Sequence, residues 1–283
     1  MEIQLEIIKY IQSFRSDFLD KLFEIITLTG EEIFLVLIFS FIYCCIHKDF
    51  GYRLGFFLLS NVIFNSGLKS FFHTARPIGE IGIISIRLET ATGYSFPSGH
   101  TQAASGFWMM VMNYIHKKWM YVLGTIMIIL VGLSRLYLGV HWPVDVIGGI
   151  VFSLIWFVIL NSTMNYAERT KKSLIFVLLF IPLALIIIWV RGVNEIKMFG
   201  CIIGLLFGYL IETKYINFKI QGNFIRRVIH WILGIMILVL IKYGLKAILP
   251  SNNLSYFIQY TLICMWIIAG IPFFFINSFQ KNN

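Results

Sequence analysis

The stretch Ser134 to Asp145, with the sequence SRLYLGVHWPVD, lies between two long apolar runs and places Arg135, His141 and Asp145 where one hydrophobic helix ends and the next begins. Ionisable groups are costly in such a place and indicate a functional site. Pro143 suits the first turn of a helix, so His141 is predicted just before that helix and Asp145 inside its first turn. The carboxylate can then bond one imidazole nitrogen and make the other a better nucleophile. The stretch is therefore predicted to form half of an active site.

The composition indicates an integral membrane protein. Of 283 residues, 58% are hydrophobic and 13% are charged, whereas a soluble globular chain carries about 25% charged residues. The formal net charge of +9 would suggest nucleic acid for a soluble domain, but in a membrane protein Lys and Arg in the loops explain it. A nucleic-acid partner is therefore excluded. The N-terminus has no basic start followed by an apolar stretch, so no cleaved signal peptide is expected.

The apolar runs predict an all-α fold, a polytopic transmembrane helical bundle of about nine spans. Before them, Met1 to about Ile26 has apolar residues at a helical period, which predicts an amphipathic helix on the membrane surface or a packing helix. Three regions follow: an N-terminal helix (1–30), a core (31–168) and a C-terminal extension of four spans (169–283). The predicted spans are Ile33–Ile46 with Ile25–Gly30, Leu54–Phe72, Ser98–Ile115, Tyr121–Leu138, Val144–Met164, Leu174–Val190, Ile196–Ile211, Val228–Leu249 and Tyr256–Ile276.

The order of the spans places two polar segments together. The loop from Phe72 to Pro97 and the turn from Ser134 to Trp142 are separated by two predicted spans, so both lie on the same side of the bilayer. Outside the candidate site and the N-terminal helix, Lys and Arg are more frequent on the opposite side, which the positive-inside rule makes cytoplasmic. The site is predicted to face outward from the cell membrane or into an organelle lumen.

The first motif in that loop is KSFFHTARP, from Lys69 to Pro77. Lys69 and Arg76 are seven residues apart, about two helical turns, so a continued helix would point both cations in the same direction. Basic side chains that reach out from a helix end would give the same pattern. Alone, this motif is weak evidence for a site.

The second motif is YSFPSGHTQAASG, from Tyr94 to Gly106. Pro97 is predicted to begin a helix whose free N–H groups, at Ser98, Gly99 and His100, point out of its N-terminus. Such an end binds phosphate through its amide donors and its dipole. His100 stands where it could protonate a leaving oxygen.

Together the three motifs offer three cations, a helix N-terminus and two histidines, one with a carboxylate partner. Phosphoryl transfer needs the same parts: charge stabilisation around phosphorus, a nucleophile and an acid for the leaving group. The cysteines and carboxylates do not have the spacing of zinc or magnesium sites. No metal and no cofactor are therefore expected.

The pattern KxxxxxxRP, then PSGH, then SRxxxxxHxxxD, resembles the type-2 phosphatidic acid phosphatase superfamily of membrane lipid-phosphate phosphatases. The resemblance implies that His141 attacks phosphorus and forms a phosphohistidine. It implies that Asp145 orients His141 and that His100 is the general acid and later the base toward water. It also implies five phosphate-binding residues: Lys69, Arg76, Ser98, Gly99 and Arg135.

The four spans after the core are similar in layout to sphingosine-1-phosphate phosphatases and glucose-6-phosphatases. The expected substrates are a polyprenyl diphosphate, phosphatidylglycerophosphate, phosphatidic acid or a sphingoid-base phosphate. A bacterial source would favour the first, and a eukaryotic source the last. A lipid phosphotransferase with the same site is the main alternative. An anion transporter is disfavoured, because the charges lie at span ends rather than within the spans.

Overall fold

The computed structural model describes residues 2–170, 174–190 and 192–274. Within these ranges the regular structure is helical and no strand is present, which confirms the predicted all-α class. The sequence of long apolar runs separated by short polar turns accounts for this class. The helices are α1 (Glu2–Gln12), α2 (Asp17–Leu28), α3 (Glu32–Phe41), α4 (Lys48–Phe72), α5 (Gly99–Ile115), α6 (Lys118–Tyr137), α7 (Pro143–Thr170), α8 (Leu174–Val190), α9 (Val193–Ile211), α10 (Phe224–Ile248) and α11 (Asn253–Met265).

Among the described residues, five helical segments are long and apolar enough to cross a membrane: Lys118–Tyr137, Pro143–Ala167, Val193–Ile216, Phe224–Ile248 and Asn253–Phe274. A sixth is present if α2 and Glu32–Ile46, which meet at a bend of 52°, form one span. The predicted count of nine is therefore not confirmed.

Three predicted spans fall outside this set, for different reasons. Helix α4 carries two buried asparagines, Asn61 and Asn65, in its second half, and these lower its hydropathy. Helix α5 has only 17 residues, which is short for a spanning helix. Helix α8 contributes a shorter apolar segment, Phe180–Val190. The last two residues of the predicted span Tyr256–Ile276 lie outside the described part of the chain.

The N-terminal region forms two helices, α1 and α2, where the sequence pattern predicted one. The side chain of Ser16 caps α2 by accepting a hydrogen bond from the amide of Leu19, and such a cap starts a new helix. Both helices pack against α6. Gln12 donates to the carbonyl oxygen of Tyr137 at 2.8 Å, and the Tyr137 hydroxyl donates to Asp20 at 2.5 Å. The amphipathic pair is therefore attached to the core, and its position at a membrane surface stays a prediction.

The chain divides into two compact units. The first comprises the described residues of Met1–Leu35 and Ser60–Ile186, and the second those of Val36–Leu59 and Ile187–Asn283. In the first unit, α5 packs against both α6 and α7. This packing brings together the N-terminus of α5, the last turn of α6 and the first turn of α7, which carry the second and third motifs.

In the second unit, α9 packs along α11. The three glycines Gly200, Gly204 and Gly208 face this contact: a Cβ atom at Gly204 would lie 2.2 Å from the carbonyl oxygen of Thr261. Small residues at four-residue intervals allow two membrane helices to approach closely. The interpretation of these glycines as packing residues is confirmed.

Candidate active site

The third motif folds as its sequence predicts. Arg135 lies in the last turn of α6, and α7 begins at Pro143 with Asp145 in its first turn. His141 stands in the turn between them, 1% exposed, and Asp145 is fully buried. Asp145 Oδ2 is 3.2 Å from His141 Nδ1 and accepts the amide hydrogen of Trp142 at 2.7 Å. The carboxylate reaches back to the imidazole, as expected for residues four apart across a helix start.

The contacts of His141 define its tautomer. Its second nitrogen, Nε2, lies 2.9 Å from Nη1 of Arg76. A guanidinium can only donate hydrogen bonds, so Nε2 accepts and Nδ1 carries the hydrogen toward Asp145. Burial lowers the pKa of His141 well below its ordinary value, and the nearby charge of Arg76 lowers it further. The ring is therefore neutral, with the lone pair of Nε2 directed toward the cations.

The first motif reaches the site through a loop rather than a helix. Helix α4 ends at Phe72, where the predicted loop from Phe72 to Pro97 begins, and His73 follows in the left-handed region with φ 51°, so the helix does not continue to Arg76. The two cations nevertheless converge, because Lys69 and Arg76 both donate to the carbonyl oxygen of Tyr94, at 2.6 and 3.3 Å. Arg76 also donates to the carbonyl oxygens of Thr92, Gly93 and Val140.

Arg135 differs from these two cations. It is fully buried, and its Nη1 donates to the hydroxyl of Thr27 at 2.8 Å. Its Nε and Nη2 atoms have no hydrogen-bond partner within the described residues, and neither has the buried Nε2 of His100. Buried donors without partners are rare in proteins and call for an explanation. The two unpaired nitrogen atoms of Arg135 fit an anion.

The second motif forms the N-terminus of α5. Ser98 is the N-cap, and its Oγ accepts from the amide and the hydroxyl of Thr101 at 3.4 and 2.9 Å. The amide of Ser98, predicted to be free for phosphate, donates instead to the carbonyl oxygen of Asp145 at 2.9 Å. That prediction is wrong, because a fully buried cap residue has to pair its own N–H. The first two amides of the helix proper, Gly99 and His100, are the ones that this cap leaves for a ligand.

Two sets of supporting residues were not predicted. The fully buried Ser95 donates through its hydroxyl to Asp145 Oδ2, and its own amide donates to the carbonyl oxygen of Thr74 at 2.8 Å. Ser95 stands two positions before Pro97, but a serine in a loop carries no distinctive signal. Three buried amide side chains, Asn61 and Asn65 on α4 and Gln102 on α5, bond one another and so hold these helices together.

The polar interior of α4 was the only sequence signal of the amide network, because asparagines are unexpected within a long apolar helix.

Across residues 2–170, 174–190 and 192–274, no three His, Cys, Asp or Glu side chains are grouped as metal ligands would be. The groups that do come together are cations, helix amides and two histidines. This arrangement can bind a tetrahedral anion and offer it a neutral imidazole.

Two sequence models of protein families match the chain. The one described as the PAP2 superfamily matches residues 50–169, and the one described as the PAP2 superfamily phosphatase, transmembrane extension, matches residues 196–282. The chain contains a PAP2 superfamily domain followed by the transmembrane extension of PAP2 superfamily phosphatases. The first match contains all three motifs, and the second lies in the C-terminal extension, so the predicted resemblance is confirmed.

Three curated members of the superfamily illustrate the range of its relatives. Phosphatidylglycerophosphatase B of Bacillus subtilis is 31% identical over 29% of this chain and 45% of its own length. Undecaprenyl-diphosphatase of Sulfolobus acidocaldarius is 40% identical over 29% of this chain and 38% of its own length. A probable sphingosine-1-phosphate phosphatase of Dictyostelium discoideum is 30% identical over 54% of this chain and 40% of its own length. The chain therefore spans less than half the length of each of these relatives.

Proposed function

We propose that this PAP2 protein is a membrane lipid phosphatase that hydrolyses a phosphomonoester or diphosphate of an amphiphilic substrate. It acts through a phosphohistidine on His141 and without a metal ion. The observation that carries the proposal is the pair of buried donors without partners among the described residues, Nε and Nη2 of Arg135. A phosphoryl group would satisfy these donors and bring its phosphorus near the lone pair of His141.

The contacts of each residue support a role in two displacement steps. In the first, His141 Nε2 attacks phosphorus, the bond to the leaving oxygen breaks, and His100 gives that oxygen a proton. In the second, water attacks the phosphohistidine, His100 takes the proton from water, and the N–P bond breaks to release phosphate. Asp145 holds Nδ1–H throughout, and the cations stabilise the charge on the equatorial oxygens.

The five phosphate-binding residues act in three ways: by direct hydrogen bonds, by their charge, or by supporting the helix N-terminus. Arg135 presents two free donors, and Gly99 and His100 present helix amides, so these groups hold oxygen atoms directly. Lys69 and Arg76 stand in contact with His141 or with the loop around Tyr94. The positive charge of Lys69 and Arg76 stabilises the phosphate oxygens, and a bound phosphate competes with the loop carbonyl oxygens for the hydrogen bonds that these two side chains donate. Ser98 contributes through the helix cap that fixes the two amides.

The substrate class follows from the membrane setting. A lipid tail can remain among the helices while the phosphate reaches the site, so the enzyme need not extract its substrate. The names of the relatives contain three lipid phosphates: undecaprenyl diphosphate, phosphatidylglycerophosphate and sphingosine-1-phosphate. Phosphatidic acid is the fourth candidate, from the resemblance of the three motifs. We place the site on the non-cytoplasmic side of the cell membrane, since the surplus of Lys and Arg is predicted on the other side.

The test is phosphate release from these four lipids by the full chain purified in detergent, with and without a chelator. The variant is His141→Ala, and the matched control is His116→Asn, an exposed histidine at the C-terminus of α5. Asn tolerates the left-handed backbone of that position. Release that persists in chelator, is abolished by His141→Ala and is kept by His116→Asn is the expected result.

Other outcomes separate the alternatives. Loss of release in chelator would contradict the metal-free mechanism, and equal release by the parent and His141→Ala would contradict the nucleophile. A parent that releases little phosphate alone, but transfers it to an added lipid alcohol, is a phosphotransferase. Labelling of the protein from a 32P-lipid, stable to alkali and labile to acid, is expected for a phosphohistidine and should be absent in His141→Ala.

A further inference from the structure

The two histidines of the site differ in their carboxylate partners. His141 has Asp145 within its own motif, whereas no carboxylate of the three motifs is paired with His100. The carboxylate that does face it belongs to Glu31, outside the motifs: Oε1 of Glu31 is 3.9 Å from Nε2 of His100. The two side chains are 19% and 15% exposed, respectively. Nε2 has no hydrogen-bond partner among the described residues.

Glu31 is held in place by the loop that joins the first two motifs. Nη2 of Arg87 donates to the same Oε1 atom at 2.7 Å, and Nη1 of Arg87 donates to the carbonyl oxygen of Glu24 at 3.4 Å. Both side chains of the ion pair are 19% exposed. The oxygen atom of Glu31 that lies near the imidazole is therefore held in place by a cation.

The turn that carries Glu31 rests on the site itself. A Cβ atom at Gly30 would lie 2.9 Å from the carbonyl oxygen of His100, so a side chain at this position would push the turn away. One helical turn earlier, the buried hydroxyl of Thr27 accepts the hydrogen bond from Arg135. The segment from Thr27 to Glu31 thus touches two of the predicted site residues by two independent contacts.

We propose that Glu31 is a positioning residue for His100, and that the segment Thr27–Glu31 completes the leaving-group side of the site. The proposal rests on the proposed function. It assigns to Glu31 the part that Asp145 has for His141: a carboxylate engages one ring nitrogen and leaves the other for the reaction. Hydrogen bonds of catalytic groups are often long before substrate binds, which accounts for the separation of 3.9 Å.

The chemistry explains why His100 needs such a partner. To act as an acid, the ring has to carry a proton while Arg135 and Lys69 place positive charge around it. A carboxylate beside the ring stabilises the imidazolium that protonates the leaving oxygen as the P–O bond breaks. The same contact keeps the neutral ring oriented when it later removes a proton from water.

The experiment compares leaving groups, because an acid matters only when the leaving oxygen is a strong base. The variant is Glu31→Gln, which keeps the shape of the side chain and removes its charge. The two substrates are p-nitrophenyl phosphate and the lipid monoester that the parent hydrolyses fastest among phosphatidic acid, phosphatidylglycerophosphate and sphingosine-1-phosphate. The matched control is Glu89→Gln, since Glu89 also faces Arg87, at 3.7 Å, but is 71% exposed.

General acids contribute about 10²–10⁴-fold to a rate, and a positioning residue carries part of that. We expect Glu31→Gln to lower kcat/KM for the lipid monoester roughly 10- to 100-fold, and kcat/KM for p-nitrophenyl phosphate by no more than about threefold, because kcat/KM reports only the steps up to the phosphohistidine, in which the leaving groups differ. Glu89→Gln should match the parent with both substrates. Arg87→Gln, which leaves the carboxylate without its anchor, should show the same preference for the aryl substrate with a smaller loss.

Each failure has a separate meaning. Equal losses of kcat/KM with both substrates would assign Glu31 a structural role and overturn the proposal, as would activity equal to that of Glu89→Gln. If Glu31→Gln does not yield folded protein, Arg87→Gln decides by the same ratio of the two substrates. Phosphate release that survives His141→Ala would instead overturn the proposed function, whatever Glu31 does.

Discussion

Each compact unit of the molecule buries an ionic cluster, and the two clusters are built differently. In the second unit, Nζ of Lys48 is 2.7 Å from Oε1 of the fully buried Glu212, which also accepts the amide hydrogen of Phe218 at 2.7 Å. Lys48 donates in addition to the carbonyl oxygen of Phe218. In the first unit, the fully buried Arg135 bonds only a hydroxyl, and two of its nitrogen atoms have no partner among the described residues.

The two clusters illustrate two roles of buried charge: the paired charges of the second unit stabilise the structure, whereas we assign the unpaired cations of the first unit to substrate binding. In the cluster of Lys48 and Glu212, each charge has an opposite charge, and the pair ties the segment around Phe218 to α4. Within the three motifs, the cations Lys69, Arg76 and Arg135 outnumber the single carboxylate, that of Asp145, and the Glu31 carboxylate beside His100 is already paired with Arg87. Burying an uncompensated cation lowers stability, so an excess of positive charge indicates that an anion is bound during function.

The largest expected effect follows from removing the unpaired cation. Arg135→Met should lower kcat/KM for lipid phosphate on the order of 10³-fold or more, because donors aimed at the developing charge contribute about 10²–10³-fold each. The variant should unfold at the same temperature as the parent or higher, since replacing a buried, uncompensated charge by an apolar group is neutral or stabilising. Phosphate release and thermal unfolding in detergent measure the two effects. Activity within tenfold of the parent would contradict the assignment.

For the cluster of Lys48 and Glu212 we expect a loss of stability and little change in activity. Lys48→Met leaves Glu212 buried without its counter-ion and should lower the free energy of unfolding by about 2–3 kcal/mol, somewhat less than for a fully buried pair because Lys48 is partly exposed. The kcat of the folded variant should stay within about twofold of the parent, since the change removes no group from the site. Unfolding in detergent and phosphate release per folded protein check this.

The control is the double variant Lys48→Met with Glu212→Gln. Glutamine keeps an oxygen that accepts from the amide of Phe218 and removes the charge, so most of the lost stability should return. Equal stability of the single and the double variant would show that the ion pair does not account for the loss.

The sequence was sufficient to predict the helical class and the local geometry of the third motif. His141 and Asp145 are four residues apart across a proline that begins a helix, so their contact depends on a few neighbouring residues. The span count was less predictable. Helix α4, whose buried asparagines bond Gln102, and α5, which has 17 residues, are not among the described helices that are long and apolar enough to cross a membrane, so their crossing stays a prediction.

The remaining features of the site depend on distant parts of the chain. Ser95 and Glu31 reach the histidines from a loop and from the turn after α2, and serine or glutamate in such places has no distinctive pattern. The route of Arg76 could not be read from its spacing to Lys69, because the backbone turns at His73 into the left-handed region. Long-range contacts of this kind follow from packing, which the local sequence does not encode.

The smallest expected effect is a shift in pH dependence, and it sharpens the contrast between the clusters. Burial and the charge of Arg76 lower the pKa of His141 below its ordinary value of about 6.5. The nucleophile must be neutral, so protonation inactivates the enzyme only at a pH below 6.5, and kcat/KM, which reports the free enzyme, should stay level on the acid side down to that range. Arg76→Gln removes one cation and should move the acid limb to higher pH. Both proteins are assayed with one substrate, so the ionisation of its phosphate is common to both profiles and cancels in the difference. An unchanged limb, or one that moves to lower pH, would contradict an uncompensated positive charge around His141.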